Sequence, residues 1–119
     1  MSLPPLTQRK CTPCEGGAEP LPRSAAEQLL RDVQGWELVD GTRLRKTVTC
    51  KSFLDAVGLV QRIAPIAEAE DHHPDLHLTK YKRLTIELST HAIGGLSEND
   101  FILAAKIDQL LEGSGAAGA

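Results

Sequence analysis

The sequence predicts an α+β fold, a two-layer sandwich in which a four-stranded antiparallel sheet carries three helices on one face, in the order α-β-β-α-β-β-α. Three observations predict it. Two stretches alternate apolar and polar residues with period two, and a turn folds each back on itself. Between them, apolar residues recur at helical spacing. Ser24 with Glu27, and Ser97 with Asp100, form capping-box pairs that open a helix before the first hairpin and after the second. Four short strands in two hairpins leave one apolar sheet face, and helices must cover it.

Taken in order, residues 1–22 carry Pro4, Pro5, Pro13, Pro20 and Pro22 around Gly16-Gly17, and that density of breakers predicts an irregular arm. The first helix runs from Ser24 through Leu29, Leu30 and Val33, and Gly35 ends it. Trp36 to Val39 is the first strand, Asp40-Gly41 the hairpin turn, and Leu44 to Thr49 the return strand. Phe53, Val57, Val60, Ala64 and Ala67 then form the stripe of an amphipathic helix. Pro65 lies within it and should kink it or disturb one turn, because an interior proline costs about 3 kcal/mol. This helix stops before Pro74 with His72 and His73 at its end. Leu76 and Leu78 alternate with His77 and Thr79, and Leu84, Ile86 and Leu88 with Thr85, Glu87 and Ser89. Gly94-Gly95 makes a turn, and the last helix carries Phe101, Ile102, Ala105, Leu110 and Leu111. Residues 23–112 form the domain, and 113–119 a disordered tail.

At 119 residues the chain is about one domain, and its 41% apolar and 24% charged residues are ordinary for a soluble protein. Aromatic residues are 3%, so Leu, Ile, Val and Ala must fill the core. So short a chain leaves much surface unburied, which favours oligomerisation. The net charge of −3, with no basic patch, gives no nucleic-acid footprint. No apolar run approaches the ~20 residues of a membrane helix, and no signal pattern opens the chain, so the expected location is the cytoplasm.

The cysteines are Cys11, Cys14 and Cys50, an odd count that argues against a disulfide framework. Cys11 and Cys14 are spaced C-x-x-C, but zinc needs a second pair or matching histidines, and neither lies nearby. The arm then carries two free thiols, with a redox pair or a metal shared between two copies as the alternatives.

All four histidines, His72, His73, His77 and His91, fall in one short stretch. Imidazole moves protons well near neutral pH. His72 and His73 end a helix, where its dipole favours the protonated ring, and Glu68 stands one turn before His72, able to orient it. If the second hairpin lies beside that helix end, His91 at the close of its strand faces the pair across one pocket. Each residue also has a duller role. The two histidines can be C-terminal caps, Glu68 a solvated acid, and Asp100 a capping-box member only. Zinc fits poorly, because adjacent histidines project in different directions.

Glu68, His72-His73-Pro74, Tyr81, His91, Gly95-Leu96 and Asp100 together resemble the signature of the pterin-4a-carbinolamine dehydratase family, over about residues 24–111. The resemblance implies that family's fold and the loss of water from 4a-hydroxytetrahydropterin to give quinonoid dihydropterin, without metal or cofactor. It implies that His72 and His91 share acid and base roles, that His73 binds the pterin and that Glu68 supports the pair. Trp36, Asp71, Ser89, Thr90 and Asp100 are implied to bind substrate.

Three features depart from the family. Leu76 stands where a tryptophan is usual, one extra residue separates Pro74 from Tyr81, and the Asn-Val pair before that aromatic is missing. An insertion within a strand implies a bulge or shifted register that reshapes the pterin slot. With the Cys11 arm, these features resemble a branch associated with RuBisCO assembly in plastids and carboxysome-bearing bacteria. The expected role is therefore a RuBisCO assembly factor, carboxysome-associated, with weak or no dehydratase activity, and the alternative is a working dehydratase. A homodimer is expected in either case.

Overall fold

Alternation in the sequence becomes one sheet of four antiparallel strands in the computed structural model, which describes residues 6–8, 11, 20–33 and 35–114. The strands are β1 (Glu37–Val39), β2 (Arg43–Thr49), β3 (Asp75–Thr79) and β4 (Arg83–Leu88), in the spatial order β1-β2-β4-β3. The two hairpins thus meet along β2 and β4, where Leu44 stands opposite Leu88, Lys46 opposite Ile86 and Val48 opposite Leu84. The turn after β1 places Asp40 (φ 54°) and Gly41 (φ 69°) in the left-handed region, the geometry that matches strand twist.

Leu44, Val48, Leu84, Ile86 and Leu88 are buried on one face. Three helices cover that face: α1 (Arg23–Leu30), α2 (Phe53–Glu70) and α3 (Glu98–Ser114). The predicted α+β sandwich is the observed fold. On the opposite face Arg43, Arg45, Thr47, Thr49, His77 and Thr85 form an open polar surface.

Several local expectations change. The N-cap of α1 lies two residues earlier, at Pro22, with no side-chain cap bond, so Ser24 and Glu27 do not act as a capping box. Proline suits a helix start, where its missing N–H is not needed. α2 opens on Ser52, whose hydroxyl accepts the Asp55 N–H at 3.1 Å, and runs on past Pro65. Its buried face is Ala56, Leu59, Ile63 and Ala67. The predicted stripe was rotated off that face: of its members only Ala67 is buried, and Phe53 is 53% exposed. Both sets recur at helical spacing, and only the sheet decides between them.

The residue added between Pro74 and Tyr81 produces no bulge. β3 and β4 pair without interruption from Asp75 opposite Glu87 to Thr79 opposite Arg83. The surplus falls in the connecting loop, where Lys80 (φ 49°) and Tyr81 (φ 57°) take left-handed conformations and Tyr81 is exposed. Extra length at a solvent-facing turn disturbs no ladder bonds, so it collects there.

The arm is not irregular throughout, since Leu6–Gln8 form a short 3-10 turn against α3 and Leu6 is buried. Gly113 and Ser114, expected in the tail, belong to α3. Cys14, with residues 12–19, and residues 115–119 lie outside the described residues.

Candidate functional site

α2 ends by a left-handed turn. Asp71 adopts φ 50°, ψ 39°, and the His72 N–H reaches back to the Ala67 carbonyl at 3.2 Å. Return bonds of this kind satisfy the last carbonyls of a helix and redirect the chain. Here they turn the His72 ring inward, toward the start of α3.

There Nε2 of His72 lies 2.6 Å from Oδ1 of Asp100. Asp100 is fully buried, three positions into α3 from Ser97. Its Oδ2 accepts the Ser97 N–H at 2.9 Å and the Thr90 hydroxyl at 2.8 Å. Because Thr90 donates to Asp100, its oxygen is left to accept from the Ser97 hydroxyl, 2.8 Å away. A buried carboxylate must be matched by donors, and this one is. The predicted capping box at Ser97 is therefore half used: the acid caps the serine N–H, while the serine hydroxyl turns to Thr90. With Asp100 as acceptor, the network assigns the ring proton of His72 to Nε2, which leaves Nδ1 as the basic nitrogen.

Glu68 does not meet His72. Its Oε1 lies 3.0 Å from Nε2 of His73, and both side chains are exposed. The left-handed turn at Asp71 carries His72 away and leaves the next residue above Glu68. Asp71 itself is exposed.

His91 does not end a strand. β4 stops at Leu88, Thr90 pairs with Gly95 as an isolated bridge, and His91 opens a 3-10 turn, His91–Ile93. Its side chain lies outside what is described. Its backbone follows Thr90 directly, so its Cα stands about 3.8 Å from that of a residue bound to Asp100. Ser89 and Thr90 line a hollow of about 230 Å³ together with Thr42, Arg43, Gly94 and Gly95. Arg43, whose Nε is buried without a hydrogen-bond partner, carried no sequence signal.

Trp36 is placed elsewhere. It is buried, and its indole N–H donates to Oδ1 of Asp108 at 2.9 Å, beside the Lys46 ammonium at 2.7 Å from the same oxygen. Asp108 is eight residues beyond Asp100, about 12 Å along the helix. His77 stands on the open sheet face, 3.3 Å from Glu87. Arg45, 2.9 Å from that carboxylate, holds it below the usual range by hydrogen bond and charge. Among the described residues, no three His, Cys, Asp or Glu side chains are grouped to hold a metal ion.

The arrangement offers an imidazole fixed in one tautomer by a buried acid, with a second histidine on the adjoining loop. That is equipment for moving protons. Comparison with known proteins points the same way. The family model described as pterin 4 alpha carbinolamine dehydratase matches residues 19–110. A relative from Nitrosomonas eutropha, named for the same dehydratase, is 49% identical over 107 residues, 89% of this chain and 93% of its own length. The pterin-4-alpha-carbinolamine dehydratase 2, mitochondrial, of Arabidopsis thaliana is 47% identical over 113 residues, 92% of this chain and 60% of that protein. Among solved structures, a transcriptional coactivator/pterin dehydratase from Brucella melitensis aligns with a TM-score of 0.71 and 32% identity, covering 77% of this chain and 98% of that one.

Proposed function

This chain belongs to the pterin-4-alpha-carbinolamine dehydratase family, and on that premise we propose that it eliminates water from 4a-hydroxytetrahydropterin to give quinonoid dihydropterin. The observation that carries this reading is the 2.6 Å bond between His72 and buried Asp100. In the elimination the C4a–O bond breaks, the hydroxyl leaves as water after gaining a proton, and N5 gives one up. An acid and a base working near neutral pH supply both transfers, typically worth about 10²–10⁴-fold. Nδ1 of His72 is one of these groups, and His91 is the other. His73, steadied by Glu68, contacts the pterin from the exposed side. Asp71, Ser89 and Thr90 border the substrate, and Asp100 acts through His72. Trp36, tied to Asp108, supports the fold in this reading. The active form is a homodimer.

The test is the rate of dehydration of a 4a-hydroxypterin. The wild-type chain should accelerate it over buffer, and His72→Ala and His91→Ala should abolish most of that gain. No acceleration by the wild type removes the proposal.

RuBisCO assembly, with carboxysome association, is the second reading. It rests on the Cys11 arm and on Leu76, a half-buried residue packed against the core. The added residue no longer supports it, because the hairpin loop absorbs it. The yield of assembled RuBisCO with and without this chain measures that role, and an equal yield with His72→Ala would separate it from the chemistry.

A further inference from the structure

Five consecutive residues of α3, Phe101 to Ala105, are all buried. Successive helix positions are about 100° apart, so five of them go round the whole circumference, and the sheet can cover only one side. The N-terminal segment and α2 cover the rest. Leu6 joins the core, and the Cys11 thiol lies 3.6 Å from the Asn99 carbonyl. The Leu21 N–H donates to Leu96 O at 2.8 Å. Pro20 packs so closely that a Cβ at Gly95 would stand 2.7 Å from it.

This segment also grips the end of α2. Glu70 Oε1 accepts the Cys11 N–H at 2.8 Å, and Glu70 Oε2 accepts from Nζ of Lys106, on α3, at 2.7 Å. The Glu70 side chain is 6% exposed and that of Lys106 17%. Burying such a pair is costly, and apolar residues of similar size would often serve stability as well. What the pair adds is geometry. Glu70–Lys106 and His72–Asp100 join the same two elements, the end of α2 and the flank of α3. Glu70 is two residues from His72, at most about 7 Å of chain.

We propose that Glu70 is a positioning residue: by holding both the Cys11 N–H and Lys106, it fixes the end of α2 so that the His72 ring stays on Asp100. The kinetic part of this rests on the dehydratase reading, and the ring geometry does not. Full-length variants test it through two readouts, the NMR signal of the His72 Nε2 proton and the split between kcat and KM. Glu70→Gln keeps one carbonyl acceptor for the Cys11 N–H but sets an amide N–H against the Lys106 ammonium. It should give a partial loss of the ring signal, smaller than that of the double variant. Glu70→Leu combined with Lys106→Met strands no charge, and should lose the ring proton to exchange and lower kcat about tenfold with KM little changed. Cys11→Pro removes the N–H together with the thiol and should weaken the ring signal, whereas Cys11→Ala, which removes the thiol alone, should not. Retention of the ring proton in the double variant and in Cys11→Pro overturns the proposal, as does a loss in Glu70→Gln equal to that in the double variant. If the wild type shows no dehydration, the activity reading falls and the ring signal alone decides the positioning.

Discussion

His72 and Asp100 are 28 residues apart in sequence, yet their side chains meet at 2.6 Å. Two local devices make the contact: the left-handed turn at Asp71 that ends α2, and the capping position at the start of α3. Each is ordinary by itself. Together they convert a helix stop and a helix start into one buried acid–imidazole pair.

Replacing Asp100 should therefore damage stability and chemistry separately. Asp100→Ala leaves the Ser97 N–H and the ring N–H of His72 without their acceptor, a loss of about 1–3 kcal/mol read by urea unfolding. Asp100→Asn keeps the size but presents an amide N–H to the ring and favours the other tautomer. The dehydration rate should fall about 10²-fold or more while the fold survives. An Asn variant of wild-type rate would show that the tautomer does not matter.

The Glu87 carboxylate sets an acid limit. Its folded-state pKa is depressed, first by the hydrogen bond from Arg45, so its contribution is present above the ordinary value of 4.5 and is lost as pH falls through the lower folded value. Thermal unfolding from pH 6 down to pH 2, values on the order of this window, should show a fall that is shallower in Glu87→Gln. Parallel curves for the two proteins would contradict this.

Cys11 should behave as an inert thiol. Burial, followed by the charge of Glu70, pushes its pKa up to about 12, so almost no thiolate exists at neutral pH. The thiolate is the reactive species. Site-mapped alkylation at pH 8 should label Cys11 far more slowly in the native protein than in urea. Equal rates would restore the redox reading of the C-x-x-C spacing.

Truncations along α2 should distinguish its faces. Leu59→Ala and Ile63→Ala remove fully buried side chains and should each cost about 2–5 kcal/mol in denaturant. Leu54→Ala, at a position 79% exposed, should lie within about 0.5 kcal/mol of wild type. A large loss at Leu54 would mean that something covers that face in solution.

The element order and both hairpins were legible in the sequence, because alternation, helical spacing and turn residues act between near neighbours. So was Asp100 as a capping acid. Its partner was not: the sequence put Glu68 against His72, and the structure puts Glu68 against His73 and Asp100 against His72. The choice depends on the direction in which Asp71 releases the chain and on where α3 packs, both long-range outcomes. The stripe on α2 was misplaced for the same reason, since several faces satisfy the local period and only burial against the sheet selects one. The bond from the Cys11 N–H to Glu70 spans 59 residues and involves a backbone donor, which no residue identity announces. The sequence by itself determined the order of the main helices and strands. Tertiary packing decided which side chains would meet, because such pairings depend on positions that chain neighbours do not control.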